Sequence, residues 1–194
     1  MQNSLPANWR IRTFSCHDTM PFRQDTVWLL KRGAVKTLTW SEEGTIMTLG
    51  YWGAGDVVGQ SLSQIQPYQI KCLTRTEASC IPLQQWNCIF DAMHRSLQQI
   101  EALLYIVRSE RIHQRLLKIL IWLAQKFGRD VEQGQLIELR ITHQDLAEFA
   151  GTTRVTVTKL LNQFEQEGII ARPHRHSIIV RSLFIADATT RNSA

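Results

Sequence analysis

Two short amphipathic helical patterns follow each other in the stretch ITHQDLAEFAGTTRVTVTKLLNQFEQEGII. Thr142 followed by Asp145 matches a capping box, which predicts the start of the first helix. Gly151 suits a turn that needs a positive φ, and either Thr152 or Thr153 can cap the second helix. Two helices joined at a steep angle by a short glycine-containing turn form a helix-turn-helix.

Each of the two helices has one apolar face. The small side chain of Ala147 allows the second helix to cross closely, and Gly168 is predicted to end that helix before a strand. The positions predicted to be buried are Leu146, Ala147, Phe149, Val157, Leu160, Leu161 and Phe164.

The other face of the second helix suits contacts with DNA bases, because such a helix enters the major groove with its N-terminal residues on base edges. Arg154 can donate two hydrogen bonds to guanine, and Val155 can touch a thymine methyl group. The predicted base contacts are Arg154, Val155, Thr158 and Lys159.

A hairpin is predicted directly after the second helix, with strands at 169–171 and 177–180. Its tip is basic and carries Arg172, His174, Arg175 and His176. One interpretation is an ordinary solvated hairpin. Next to a helix-turn-helix, the same tip is better explained as a wing that contacts DNA phosphates through Arg172, His174 and Arg175.

The first part of the chain is predicted to be an antiparallel β-roll. Segments rich in β-forming residues, separated by turns, occupy residues 9–85, and the loop GAGDVVGQS lies among them. The fold class is therefore α+β, with a cupin-like jelly roll, a long helix and a winged helix-turn-helix.

The long helix follows the roll and carries a heptad seam. The helix could pack only on its own roll, but the length of the seam favours pairing with a second copy. Ile89 and Leu103 lie just off the seam and suit contacts within the chain. A second helix then runs to Gly128, followed by the polar turn RDVEQGQ. The seam consists of Phe90, Met93, Leu97, Ile100, Leu104 and Val107.

Composition and motifs exclude several other classes of protein. The net charge of +5 is concentrated in residues 108–194, which carry thirteen basic and nine acidic side chains and suit a polyanionic partner. The four cysteines form no C-x-x-C pair, so zinc and iron–sulfur sites are not expected. No signal peptide, membrane-spanning run or catalytic motif is visible, which predicts a cytoplasmic protein that is not an enzyme and has no membrane contact.

The helix-turn-helix stretch and the loop GAGDVVGQSL resemble the Crp/Fnr family, the cyclic-AMP receptor protein and its relatives. Within TTRVTVTKLL the sequence is especially similar to the cyanobacterial global nitrogen regulators and their paralogs. The resemblance implies a homodimer that binds a palindrome of the GTA–spacer–TAC kind in double-stranded DNA and contacts RNA polymerase. It also implies phosphate contacts from Thr142, Thr153 and Thr156. The N-terminus of the first helix adds His143 and Gln144 as predicted phosphate contacts.

By resemblance, the effector pocket comprises Gly59, Gln60, Ser61, Leu62, Tyr68 and Gln69. Cyclic-nucleotide binders of the family have Gly-Glu where this chain has Gly59-Gln60, and Arg followed by Ser or Thr at Tyr68-Gln69. Cyclic AMP is therefore not expected, because a buried phosphate needs a cationic partner. A lone Cys16, His17 or His94 does not point to heme. The pocket is expected to take 2-oxoglutarate, another small acid or nothing.

Three domains are expected: a β-roll over 9–88, a dimerisation helix over 89–111 and a DNA-binding domain over 112–194. The competing hypothesis is a ligand-sensing module whose helix-turn-helix contacts a protein. A third possibility is a constitutive DNA-binding dimer without an effector.

Overall fold

The computed structural model describes residues 9–23, 25–174 and 176–182. Two compact units make up the chain, and they divide between Leu103 and Leu104. Among the described residues, no helix is both long enough and apolar enough to cross a membrane.

The first unit contains two antiparallel sheets, which confirms the predicted fold class. One sheet has the strand order β1-β7-β2-β5 and the other β4-β3-β6. Strands β2 and β3 are buried along most of their length, which places them at the centre of the unit. The strands are β1 (Ile11–Phe14), β2 (Thr26–Arg32), β3 (Val35–Trp40), β4 (Ile46–Trp52), β5 (Val57–Val58), β6 (Gln69–Cys72) and β7 (Thr76–Pro82).

Strand β2 is buried on both faces. Trp28 and Leu30 join a core shared by the two sheets, where the Phe14 and Trp28 rings meet edge to face with centroids 5.4 Å apart. Val27 and Leu29 point the other way, because side chains alternate along a strand, and they join a second apolar cluster. A helix can therefore cover the outer face of this sheet.

Helix α1 (Phe90–Val107) supplies part of that cover, with Ala92 in the second cluster. It is preceded by a 3-10 segment, Leu83–Ile89. Gln99 Nε2 donates to Tyr51 O at 2.8 Å, and Arg95 Nη2 donates to Gly55 O at 3.3 Å. These bonds anchor one side of α1 on the strand region.

The opposite side of α1 is exposed along the predicted seam. Leu97 is 66% exposed and Leu104 56%, whereas the off-seam residues Ile89 and Leu103 are buried as expected. Met93 and Val107 are half-buried, and Phe90 and Ile100 are exposed. The single chain thus leaves most of the seam uncovered.

After α1, the described part of the second unit combines three helices with a four-stranded antiparallel sheet of order β10-β11-β9-β8. Its fully buried side chains include Leu116 and Leu120 of α2, Leu146 of α3 and Leu161 of α4. The elements are α2 (Ile112–Phe127), β8 (Gly128–Val131), β9 (Gly134–Ile137), α3 (His143–Ala150), α4 (Arg154–Gln166), β10 (Ile170–Ala171) and β11 (Ile178–Arg181).

The segment RDVEQGQ differs from the expected polar turn. Gly128 ends α2 with φ −80, outside the left-handed region, and its N–H bonds to Ala124 O. The chain therefore leaves the helix directly into strand β8. A Cβ atom on Gly128 would lie 2.2 Å from that same oxygen, which explains why glycine stands there. Only the residues after Val131 form the turn to β9.

Candidate nucleic-acid interface

Helix α3 begins with the predicted capping box. Thr142 Oγ1 accepts from Asp145 N at 3.1 Å, and Asp145 Oδ2 accepts from Thr142 N at 2.9 Å. These bonds satisfy two backbone N–H groups at the helix start. At the other end Arg115 of α2 donates from Nη1 to Ala150 O at 2.9 Å. Helix α3 is therefore fixed at both ends.

The turn between the two helices also follows the prediction. Gly151 has φ 65 and ψ 51, in the left-handed region. Of the two candidate caps, Thr153 is the one used, and its Oγ1 accepts from Thr156 N at 3.2 Å. The two threonine hydroxyl oxygens lie 2.9 Å apart. Both predicted phosphate contacts are thus engaged in holding the first turn of α4.

Helix α4 buries the predicted stripe. Val157, Leu161 and Phe164 are fully buried, and Leu160 is half-buried. The His113 ring of α2 packs against Phe164 with centroids 4.8 Å apart and an interplanar angle of 71°. Packing on this side fixes which residues of α4 face outward.

The outward face carries three of the four predicted base contacts as exposed side chains. Arg154 and Lys159 are exposed, and Val155 is 64% exposed although it is apolar. Thr158 is only half-exposed, and its hydroxyl donates to Arg154 O at 2.9 Å. The hydroxyl hydrogen of Thr158 is therefore used in a hydrogen bond within the protein.

Thr158 also contacts α3. His143 Nδ1 lies 2.8 Å from Thr158 Oγ1, which joins the two helices through polar side chains. Partial burial lowers the pKa of His143 below its usual 6.5, and the nearby charges of Arg172, Arg154 and His176 lower it further. His143 is therefore neutral at neutral pH in the free protein.

The wing is attached to α4 by Arg172. Its Nε donates to Glu165 Oε2 at 3.0 Å, its Nη2 donates to Asn162 Oδ1 at 2.7 Å, and its backbone N–H donates to Glu165 Oε1 at 3.2 Å. The hydrogen bond from Arg172 holds the pKa of Glu165 below its usual range. The predicted phosphate contact Arg172 thus already has an anionic partner.

An open cleft of about 740 Å³ brings six of the predicted contacts together. They are Thr142, His143, Gln144, Arg154, Arg172 and His174. Glu165, His176 and Ser177 also line the cleft and were not among the predicted contacts. The sequence already placed His174 and His176 at the basic tip of the wing. No local sequence pattern indicated that Glu165 of α4 would line the cleft.

The remaining predicted contacts lie elsewhere. Five of them belong to α4 or its cap and do not line the cleft: Val155, Thr158, Lys159, Thr153 and Thr156. The prediction for Arg175 lies outside the described residues.

A second, smaller cleft of about 220 Å³ lies in the β-roll. Four residues of the predicted effector pocket line it, namely Gly59, Gln60, Tyr68 and Gln69. Ser61 and Leu62 are not in the lining, and Ser61 Oγ donates to Thr26 O at 3.0 Å. Aromatic side chains form much of the wall: Phe22, Trp28, Trp40 and Tyr68.

Polar groups of this smaller cleft are largely engaged within the roll. Gln60 Nε2 donates to Ser63 O at 3.2 Å and to Ile65 O at 3.1 Å. Gln69 Nε2 donates to Thr19 Oγ1 at 3.2 Å. Burial raises the pKa of Tyr68 to about 12 and outweighs the opposing effect of its hydrogen bonds with Gly59 and Thr37. Tyr68 therefore lines the cleft as a neutral phenol.

Comparison with known families identifies the second unit. Residues 114–183 match the Crp-like helix-turn-helix domain. This segment contains α3, the turn, α4 and the hairpin that follows, which are the elements that form the basic cleft.

Full-length relatives extend the match beyond that domain. Over 167 residues the chain is 39% identical to the regulatory protein CysR of Synechococcus elongatus, covering 84% of this chain and 79% of CysR. It is 28% identical to the global nitrogen regulator of the same organism, covering 76% of this chain and 73% of that protein.

Solved structures share the fold. A transcriptional regulator of the CRP family from Thermus thermophilus superimposes with a TM-score of 0.76 at 18% identity, covering 94% of this chain and 97% of that one. A second CRP/FNR family regulator from the same organism gives 0.75 at 19% identity, covering 95% and 99%.

Proposed function

The chain belongs to the Crp/Fnr family of transcription regulators, and from this premise we propose that it binds palindromic promoter DNA as a homodimer. Its helix-turn-helix is a DNA-binding domain, and the relatives are regulators rather than enzymes.

The observation that carries the proposal is the basic cleft. The N-terminus of α3, the first residue of α4 and the wing meet there, with Arg154, Arg172, His143 and His174 in the lining. Helix N-termini and cationic side chains are the groups that bind phosphate oxygens. A DNA backbone is therefore a fitting occupant, and the neighbouring face of α4 would lie in the major groove.

Base readout is assigned to the exposed face of α4. Arg154 can make a bidentate contact with guanine O6 and N7, and Val155 can pack against a thymine methyl group. Lys159 lies further along the same exposed face. Thr158 is assigned a smaller direct role, because its hydroxyl hydrogen is already donated to Arg154 O.

Dimerisation is assigned to the seam of α1. Four of its residues are large apolar side chains that are more than half exposed in the single chain: Phe90, Leu97, Ile100 and Leu104. An apolar stripe with heptad spacing is typical of a helix that pairs with another helix. On palindromic DNA, a two-fold dimer would present its two α4 helices about 34 Å apart, one turn of DNA.

We assign the boundaries of this organisation as a β-roll over 9–88, a dimerisation helix over 89–111 and a DNA-binding domain over 112–194. The division into compact units falls inside α1, between Leu103 and Leu104. A long helix that runs through the division is a natural route for a signal from the roll, since its pairing in the dimer could change with the state of the roll. We also propose that the DNA-bound dimer contacts RNA polymerase.

Control by a small molecule is assigned to the β-roll cleft, with a ligand other than cyclic AMP. Gln60, Tyr68 and Gln69 stand where a carboxylate and a phosphate-binding arginine would be needed for a cyclic nucleotide. The test is DNA affinity with 2-oxoglutarate, with cyclic AMP and without ligand. A large increase with 2-oxoglutarate supports this assignment, and an affinity indifferent to every ligand supports a constitutive regulator.

The proposed function is tested by binding of the purified full chain to a GTA–spacer–TAC duplex and to a scrambled duplex at one fixed salt concentration. Salt must be fixed because phosphate contacts alone produce strong, sequence-independent binding. Preference for the palindrome, with two chains per duplex, is the expected result. Equal binding to both duplexes, with and without 2-oxoglutarate, would contradict the proposal.

A further inference from the structure

The hydroxyl group of Thr158 stands between partners on two helices. It lies 2.9 Å from Arg154 O in its own helix and 2.8 Å from His143 Nδ1 in α3. A hydroxyl group has one hydrogen, and a carbonyl oxygen can only accept. The hydrogen must therefore point to Arg154 O, which leaves the Thr158 oxygen as the acceptor for His143.

This arrangement fixes the tautomer of His143. Its Nδ1 must carry the hydrogen that is donated to Thr158 Oγ1, and in a neutral imidazole the other nitrogen is then bare. His143 lines the basic cleft. In the free protein its Nε2 is consequently an acceptor, and an acceptor cannot donate to a phosphate oxygen.

Partial burial and the surrounding charges together keep His143 neutral without DNA. Burial lowers its pKa most, and Arg172 of the wing, Arg154 at the start of α4 and His176 lower it further. His174 lines the same cleft, and the carboxylate of Glu165 in that lining is paired with Arg172. The net environment is cationic, and an imidazolium ion is disfavoured there.

A phosphate group in the cleft reverses that balance. Its negative charge favours the protonated imidazole, whose Nε2–H can then donate a charge-assisted hydrogen bond. We propose that Thr158 is a positioning residue that holds His143 in this tautomer, and that DNA binding takes up a proton at His143 Nε2. This inference rests on the proposed DNA-binding function and adds a pH dependence to it.

The expected signature is an affinity that increases as the pH falls. The complex binds more protons than the free components between the lowered pKa of free His143 and its higher pKa in the complex. One coupled proton gives at most about a tenfold increase in affinity per pH unit. The calorimetric heat of binding should also vary with the ionisation enthalpy of the buffer, since the buffer supplies the proton.

Two variants separate this coupling from a merely structural role. In Thr158→Val the acceptor for Nδ1 is lost, so the neutral ring can carry its hydrogen on Nε2 and donate without taking up a proton. In His143→Gln an amide replaces the imidazole, and no proton can be taken up at this position. Both variants should flatten the pH dependence, whereas a purely structural defect would lower affinity by the same factor at every pH.

The matched control is His94→Gln, an exposed histidine of α1 that lies off the seam. It should keep the full pH dependence. Thermal unfolding of all variants identifies any that fail to fold, and the buffer dependence of the heat provides the second readout in the parent protein.

Three outcomes would overturn the inference. Palindrome-specific binding with no dependence on pH or buffer would remove the proton coupling and leave the DNA-binding function intact. A His143→Gln variant that keeps the full slope would assign the proton to another group, such as His174 or His176. No preference for the palindrome at any pH would remove the inference together with the proposed function.

Discussion

Arg172 and Glu165 form an ion pair that joins the wing to α4, with Arg172 Nε 3.0 Å from Glu165 Oε2. The arginine side chain is 25% exposed and the glutamate 40%. The pair therefore has two effects at the basic cleft. It sets the position of the wing on α4, and it places a negative charge beside the cations that are proposed to bind phosphates.

The first prediction concerns that negative charge. Glu165→Gln removes it and should raise affinity for DNA of any sequence, because Arg172 becomes available to a phosphate. The slope of log affinity against log salt should become more negative by about one. The measurement is a salt titration of DNA binding for the variant and the parent protein.

A matched control exists on the neighbouring hairpin. Glu138 pairs with Arg129 at 3.1 Å, but neither residue lines the cleft. Glu138→Gln should therefore leave the salt slope unchanged. An equal change in both variants would show that overall charge, and not the Arg172 pair, determines the effect.

The second prediction concerns base readout. Arg154→Ala should weaken binding to the palindrome by about 1–3 kcal/mol and relax the preference at one base pair. The control is Arg12→Ala, which removes the charge of an exposed arginine in β1, outside the helix-turn-helix. Binding to a set of single-base duplex variants checks the result. A uniform loss over all sequences would instead assign Arg154 to a phosphate.

The third prediction concerns assembly. Leu97→Glu places a charge in the middle of the apolar seam and should convert the dimer to a monomer, as measured by sedimentation. The fold of the single chain should survive, because Leu97 is 66% exposed. Gln98→Glu introduces the same charge at an exposed position outside the seam and should leave the dimer intact. A dimer that persists in Leu97→Glu would contradict the assignment of α1.

The fourth prediction compares two glycines with positive φ. A Cβ atom at Gly151 would meet only Arg115 Nη1, at 3.7 Å, so Gly151→Ala should cost roughly 1–2 kcal/mol through backbone strain alone. At Gly134 the Cβ atom would lie 2.1 Å from Val180 O, which adds a collision with the partner strand. Denaturant unfolding should therefore show a clearly larger loss for Gly134→Ala, and similar losses would contradict the packing described for β9 and β11.

The fifth prediction concerns Tyr68 in the β-roll. Its pKa is raised from 10.0 to about 12, so between these values the folded chain holds a proton that the unfolded chain has lost. The contribution of Tyr68 to stability is therefore present below pH 10.0 and is lost as the pH rises towards 12. Unfolding free energy measured across this window should fall less steeply in Tyr68→Phe than in Tyr105→Phe, where an exposed tyrosine is replaced.

Local signals in the sequence predicted much of the second unit. The Thr142–Asp145 capping box, the left-handed Gly151 and the buried stripe on α4 each depend on residues a few positions apart. The structure confirms the first two and, except for the half-buried Leu160, the third. The β-strands expected within residues 9–85 are also found, as β1 to β7. Short-range geometry is sufficient to predict these features, because a helix cap and a helix face each involve residues at fixed spacings in the sequence.

The pairs that shape the cleft could not be predicted in this way. His143 meets Thr158 across two helices, and Arg172 meets Glu165 across a helix and a wing. Such contacts depend on the crossing of the elements, which no local pattern specifies. Strand β8 was missed for a related reason, since its polar residues become a strand only by pairing with β9.

The pairing of β9 with β11 has a consequence for how the molecule is made. Ile137 and Ile178 are register partners, although α3 and α4 lie between them in the chain. A long loop must therefore close before this sheet can form, and closing it is slow and entropically unfavourable. The pairing of β9 with β11 is therefore expected to form late during folding. A chain truncated before β11 would contain every residue of α4 but would lack the strand that pairs with β9 and β10.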